Sequence, residues 1–417
     1  MKIALISPHA SPVASAGGSD SGGLNVSVAN LARELGRAGH QVDVLTRRDD
    51  LWMPPVLELS PNATVVRLPA GPPRFVCPEA MLMHMEDFAA RAVRYCGAQG
   101  GAYDIAHANF FLSGPAALRL QEHCGTPFVV GLHGLGKARQ RDFDGFPSER
   151  VPLEVHLVAA AARVIAGSRQ ERDALVRLYG AAAGRIEVVP CGFDPSELGP
   201  GARNARSRLG LREDEFVVLH VGRVAAAEGI DDLVRAIARL RRHHAITARL
   251  LVVGGESAQP DPQRTPEIAR LREIAAAEGI AAQLTFTGRR PRDALRECYG
   301  AADAFATTPR QESFGITPIE AMACGIPVVG TAVGGIDQAV VDAVTGYLVR
   351  PNDPAAVAER LARFHRNREL GRAFGRAGIL RMRGGFTWRH RAAELARVYA
   401  AALAPHRSRL ATVVSGR

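Results

Sequence analysis

The 417-residue sequence predicts an α/β fold of two domains, each a parallel sheet covered on both faces by helices. Three observations lead there. Short apolar runs alternate with helical periodicities along nearly the whole chain, the pattern of successive β-α-β units. The alternation runs in two series, separated by a Gly-, Pro-, Ser- and Arg-rich stretch at residues 195–211 that reads as a linker. The length exceeds what one core organises, and 47% hydrophobic residues are enough to build two.

The first series opens on "KIALIS", a short buried-strand pattern, and the loop "PHASPVASAGGSDSGG". Leu24, Val28, Leu31, Ala32 and Leu35 then recur at spacings of three and four, which lines one face of a helix. "RAGH" ends that helix and "QVDVLT" is a strand, so the unit is β-loop-α-β and its sheet is parallel. "YDIAHAN", "PFVVGLH" and "RVIAGS" read as further strands. The second series runs through the strand "FVVLHVGR", the helix "IDDLVRAIARLRRH", the strand "ARLLVVGG" and a helix over 268–278. The strands in "LTFTGR", "ADAFATT" and "PVVGT" complete it. The tail "FTWRHRAAELARVYAAAL" is one amphipathic helix, with fraying expected past Ala404. The N-terminal domain is assigned to residues 1–194 plus the helix about 386–404, and the C-terminal domain to 195–385. Ligands of such sheets bind at the carboxyl ends of strands, here expected in a cleft between two facing domains.

Composition narrows the function. The net charge is +10 and the pI 9.9, which fits a nucleic acid, an anionic membrane surface or an acidic substrate. Yet the only lysines are Lys2 and Lys137, and the arginines are spread along the chain without interleaved aromatics. A coding bias toward Arg accounts for that as well as a partner does, and no nucleic-acid reading motif is present. Cys77, Cys96, Cys124, Cys191, Cys298 and Cys324 show no C-x-x-C and no metal-ligand spacing, which fits free thiols in a reducing cytoplasm. No apolar run reaches the ~18 residues that span a bilayer. The opening "MKIALISPHA" is too short for a signal segment.

Four stretches carry chemistry. Gly22 and Gly23 open a helix whose free N–H groups suit an anion such as a diphosphate; a simple loop turn explains them equally. The lack of G-x-G-x-x-G after the first strand disfavours a nicotinamide dehydrogenase. Arg223 follows a strand end, where a guanidinium takes phosphate oxygens in pairs, or else lies on the surface. In "ESFGITPIE", Thr317-Pro318-Ile319-Glu320 has the form of a capping box with Thr317 as N-cap. Glu320 therefore has a structural explanation, whereas Glu312 has none and is suited to sugar hydroxyls. Backbone N–H groups from Gly315 through Ile316 to Thr317 would meet phosphate at the same helix start. His133 ends the strand "PFVVGLH" on the side of the expected cleft; structural and functional readings balance there.

Together these stretches resemble the family 4 glycosyltransferases. The resemblance spans nearly the whole chain, through "SGGLNVSVANLARELGRAGHQVDVLTR", "VVPCGFD", "ESFGITPIE" with "AMACGIPVVGTAVGG" and "TGYLV", and "FTW". It implies the GT-B fold, two facing Rossmann-like domains with parallel sheets and an interdomain cleft. It also implies transfer of a sugar from a UDP- or GDP-linked donor with retention of configuration, the leaving phosphate helping to deprotonate the acceptor. By this analogy Glu312 contacts the donor sugar, Glu320 the ribose, and Arg223 the diphosphate above Gly23. His133 meets the sugar near the reacting centre, and Arg290, in "FTGRRPRD", lies near the base. No metal and no cofactor beyond the donor is expected, because helix ends and Arg223 carry the phosphate charge. A homodimer is left open.

Within the family the chain is similar to the mycothiol-pathway enzymes that glycosylate inositol phosphate, with His9, Asp20 and Asn25 near the acceptor. The acceptor-phosphate pocket departs from theirs. The usual lysine falls near Cys77, the tyrosine at Phe110 and the threonine at Gly134, leaving Arg150. A lost charged hydrogen bond costs roughly 1.5–3 kcal/mol, so the expected acceptor is another small polar metabolite. The family's G-R-x4-K-G also departs, with Glu228 at the lysine position. A carboxylate about 4 Å from a diphosphate costs on the order of 4 kcal/mol at an effective dielectric near 20. Glu228 therefore points away, binds a nearby arginine or an unusual donor, or weakens donor binding. A non-catalytic nucleotide-sugar binder, a transferase using lipid or polysaccharide at a membrane surface, and a salt-sensitive nucleic-acid binder are the alternatives.

Overall fold

The computed structural model describes residues 1–13, 23–140, 146–201 and 204–414, so Asp20 and Gly22 lie outside the described residues. The chain divides into two compact units, Met1–Pro190 with Trp388–Arg417, and Cys191–Thr387. Residues 195–211, expected as a linker, lie inside the second unit.

Among the described residues the first unit holds eight strands: β1 (Lys2–Ile6), β2 (Gln41–Arg47), β3 (Val56–Ser60), β4 (Ala63–Leu68), β5 (Ile105–Asn109), β6 (Phe128–Gly131), β7 (Arg163–Ala166) and β8 (Ile186–Val188). Their order is β3-β4-β2-β1-β5-β6-β7-β8. All pairs are parallel except the edge hairpin β3–β4, which turns at Asn62 with φ +64°. That hairpin is absent from the sequence reading, because its strands alternate weakly and its turn is Pro-Asn rather than Asn-Gly. The helices are α1 (Gly23–Arg37), α2 (Pro78–Met81), α3 (Met85–Ala98), α4 (Gly114–Cys124), α5 (Gly136–Arg139), α6 (Arg150–Ala160) and α7 (Arg169–Tyr179). The five spaced apolar residues of α1 are all buried, as their periodicity requires.

The second unit holds β9 (Phe216–Val221), β10 (Ala248–Val253), β11 (Leu284–Phe286), β12 (Ala304–Thr307), β13 (Val328–Thr331) and β14 (Gly346–Val349). Their order is β11-β10-β9-β12-β13-β14, parallel throughout. Its helices are α8 (Ala205–Arg208), α9 (Ile230–His244), α10 (Glu267–Ala277), α11 (Arg292–Gly300), α12 (Ile316–Ala323), α13 (Gly334–Ala339), α14 (Pro354–Arg366) and α15 (Arg368–Gly385). The last helix, α16 (Trp388–Val414), belongs to the first unit and packs on α1. It continues past Ala404, where fraying was expected.

Setting aside the edge strand β3, the strand order in each sheet reverses once, between β1 and β5 in the first unit and between β9 and β12 in the second. Loops leaving neighbouring strands diverge at such a point and open a crevice at their carboxyl ends. The residues singled out in sequence cluster at these two places.

Candidate active site

In the first unit the crevice is lined from β1, β5 and β6. β6 stops at Gly131, so His133 does not end the strand; it stands in the following loop with φ +51°. A Cβ on Gly131 would lie 2.9 Å from His133 Nε2, so the absence of a side chain there makes room for the ring. Nε2 of His133 lies 3.3 Å from Asn109 Oδ1 at the end of β5. His9 reaches the same place from the loop after β1 and packs its ring on Phe110 at 4.7 Å. Beneath, Arg150 of α6 lies 4.9 Å from the Phe110 ring and 4.6 Å from Phe111. It donates through Nη2 to the carbonyl of Gly134 at 2.8 Å and through Nε to Glu154 at 2.7 Å. Asn25 donates to the carbonyl of Ser11, tying the start of α1, where Gly23 stands, to the His9 loop.

Burial sets the electrostatics here. It pushes His133 down to about 4. His107, on β5, falls to about 3 through burial and then the nearness of His133. His9 also falls to about 3, through burial, then His133, then Arg150. All three rings are neutral at pH 7. The Arg150 charge is spent within the protein: its partner Glu154 is fully buried and also accepts from the N–H of Gly136 and the hydroxyl of Tyr179.

In the second unit the crevice lies beyond β9 and β12. Arg223 donates to Glu228 Oε1 at 2.7 Å, with the guanidinium 75% exposed and the carboxylate 12% exposed. Glu228 thus binds the nearby arginine. Gly229 behind it has φ +64°, and a Cβ there would lie 2.1 Å from the Thr308 carbonyl, so the turn that presents Glu228 needs glycine. Glu312 accepts through Oε1 from the N–H groups of Phe314 at 2.7 Å and Gly315 at 3.1 Å. Burial raises its carboxyl above the usual carboxylate value and the Glu228 charge adds to that, while the two N–H groups and Arg223 hold it down.

The expected capping box is not formed. α12 begins at Ile316, its N-cap is Gly315 with φ +62°, and Thr317 is already the second helical residue. The reason is tertiary. Gly334 and Gly335 press on this loop so closely that a Cβ on Gly334 would lie 1.6 Å from the Glu312 carbonyl. The Gly335 N–H donates to that same carbonyl at 3.1 Å. The pressure holds Gly315 left-handed, no side chain caps α12, and Glu312 instead accepts from the Phe314 and Gly315 N–H groups just ahead of the helix. The N–H groups of Ile316 and Thr317 fall in the first turn, beyond reach of any helical carbonyl. Glu320, only 1% exposed, receives Arg292 on one oxygen at 2.7 Å and Tyr299 on the other at 2.9 Å. Arg290 is exposed in the loop after β11, and its neighbour Arg292 is the arginine that reaches Glu320.

The structure therefore gathers His9, Phe110, His133, Gly134 and Arg150 in one unit, and Arg223, Glu228, Glu312, Gly315, Ile316 and Thr317 in the other. Sequence reasoning missed Asn109, His107, Tyr399, Arg292 and the paired role of Gly334 and Gly335. Only the glycine pair carried a local signal. Among the described residues no group of three or more His, Cys, Asp or Glu is arranged to hold a metal ion. None of their helices is long and apolar enough to cross a membrane.

Comparison with known proteins decides the family. Residues 202–381 match the family described as Glycosyl transferases group 1, and residues 21–197 match Glycosyltransferase Family 4. The D-inositol 3-phosphate glycosyltransferase 1 of Catenulispora acidiphila is 38% identical over 418 residues, covering 98% of this chain and 97% of that protein. This chain is a family 4 glycosyltransferase. The glycosyltransferase is also 36% identical to the D-inositol 3-phosphate glycosyltransferase of Nocardia farcinica, over all of this chain and 93% of that one. The solved structure of a sucrose-phosphate synthase from Thermosynechococcus elongatus superposes with a TM-score of 0.86 at 33% identity, covering 96% of this chain and 98% of that one. The glycosyltransferase has the GT-B fold, with one parallel α/β sheet in each unit.

Proposed function

We propose that the enzyme transfers a sugar, with retention, from a UDP- or GDP-linked donor to a small polar acceptor that carries no phosphate. The second unit takes the donor. Arg223 and the N–H groups at the start of α12 face the diphosphate, Glu312 the sugar hydroxyls and Glu320 the ribose. As the bond from the anomeric carbon to the diphosphate breaks, negative charge grows on the leaving oxygen, and fixed donors there lower the barrier. The acceptor hydroxyl bonds to the same face of that carbon and its proton passes to the departing phosphate. By the family resemblance, His133 is the residue that contacts the transferred sugar near the reacting centre.

The observation that supports a phosphate-free acceptor is Arg150. Its guanidinium is buried, matched by Glu154 and covered by Phe110. A phosphate would have to compete with a buried carboxylate, and separating such a pair costs about 3–5 kcal/mol. Curated relatives are named for inositol 3-phosphate, so the test is direct. The purified protein is given UDP-glucose, UDP-N-acetylglucosamine and GDP-mannose, each with inositol 3-phosphate, free inositol and neutral polyols. Nucleoside diphosphate release with the uncharged acceptors supports the proposal. Faster turnover of inositol 3-phosphate than of every uncharged acceptor sinks it.

A further inference from the structure

Asn109 is nearly inaccessible and lies where three groups meet. Its Nδ2 is 3.4 Å from the carbonyl oxygen of Ile6 and 3.3 Å from that of His107. Both are acceptors only, so the amide nitrogen belongs on that side and Oδ1 is turned to His133. An amide oxygen cannot donate. The hydrogen between Asn109 Oδ1 and His133 Nε2 therefore belongs to the histidine. A neutral imidazole carries one ring proton, so Nδ1 is the basic nitrogen.

We propose that Asn109 is a positioning residue that fixes His133 in the Nε2–H form and so presents Nδ1 to the sugar. Three further features support it. The His133 backbone is held at φ +51°, a conformation that costs a non-glycine residue energy and persists only where surroundings impose it. Gly131 leaves the ring its space. Among the described residues, His107 on β5 and His9 after β1 face His133, and burial keeps both neutral. His107 is in turn held at Nδ1 by the Tyr399 hydroxyl of α16 at 2.7 Å, and Arg150 acts from beyond His9. A neutral ring with Nδ1 basic accepts a sugar hydroxyl and puts no positive charge beside an anomeric carbon that is becoming cationic. An imidazolium would oppose that charge.

The inference rests on His133 meeting the sugar for its meaning, but not for its test. Long-range proton–nitrogen correlation on the ¹⁵N-labelled full chain at pH 7 reads the tautomer without substrate. The Nε2–H form is expected at His133; the Nδ1–H form overturns the assignment. Asn109→Asp keeps an acceptor at Nε2 and adds a negative charge next to it. In that variant the His133 titration should rise by about one unit or more, with the acid limb of the kcat–pH profile moving alongside. A titration that stays where the wild type's lies overturns the proposal. The spectra are taken on ligand-free protein, so they support or sink the role of Asn109 whatever the transfer assays return.

Discussion

At the scale of single residues, Glu228 is the departure with the largest energetic reach. Its pair with Arg223 is worth at most about 1 kcal/mol, because the guanidinium is mostly in water. A diphosphate can therefore draw Arg223 away at little cost. The carboxylate left behind is a different matter, since at about 4 Å from a phosphate it costs on the order of 4 kcal/mol. The second effect wins, and donor affinity should be held down by Glu228. Glu228→Gln and Glu228→Lys are expected to tighten UDP or GDP binding by about tenfold or more, equivalent to about 1.4 kcal/mol, in calorimetric titration. Unchanged Kd values in both variants would mean that the carboxylate lies out of reach of the diphosphate. The sequence exposed Glu228 as an anomaly because it stood in a short pattern with Arg223 and Gly229. It could not say which arginine Glu228 would meet, because the turn at Gly229 depends on Thr308, far along the chain.

At the scale of elements, the start of α12 depends on packing against the start of α13. A Cβ on Gly335 would lie 2.3 Å from the backbone carbon of Phe314. Gly335→Ala should therefore push the Glu312 loop away and misplace the first turn of α12. Nucleoside diphosphate affinity should fall by about tenfold or more, with a stability loss of about 1–3 kcal/mol. Asp353→Ala serves as the control. It removes the side chain that caps α14 through the Ala356 N–H at 2.9 Å. It should cost about 1 kcal/mol while leaving nucleotide binding within experimental error. Equal loss of affinity in both variants would show that general destabilisation, and not the Gly335 contact, controls the site. The element itself was legible, since "ESFGITPIEAMA" reads as loop then helix. Its cap was not, because a local rule for Thr317 was overridden by two glycines beyond the next strand.

At the scale of the whole molecule, the two units carry unequal acid sensitivity. The first contains His9, His107 and His133, all held neutral far below the ordinary value. The second contains His220, pushed down to about 4 by burial. A base depressed in the folded state takes its proton first in the unfolded chain. The stability of the neutral form is complete above pH 6.5 and is lost as pH falls toward 4 and then 3. At pH 5 each such histidine costs on the order of 2 kcal/mol. Buried carboxyls raised by burial act in the opposite sense, but they are matched, with Asp43 and Glu171 in one unit and Asp232 and Glu312 in the other. Calorimetric scans from pH 7 to pH 5 should therefore show the unit containing Met1–Pro190 losing its melting temperature faster. Hydrogen exchange assigns the transitions, and earlier melting of Cys191–Thr387 at pH 5 would contradict this account.

The sequence by itself determined the two series of strands and helices, their parallel arrangement and the family. Strand alternation, helical periodicity and glycine at turns are short-range constraints, written within about ten residues of where they act. Only the tertiary structure decided the partners. Tyr399 meets His107 from 292 positions away, Arg292 takes Glu320 from a capping role, and the antiparallel β3 joins the sheet edge. These follow from which strand ends the sheet order brings together, and burial then sets the charge of each group so placed.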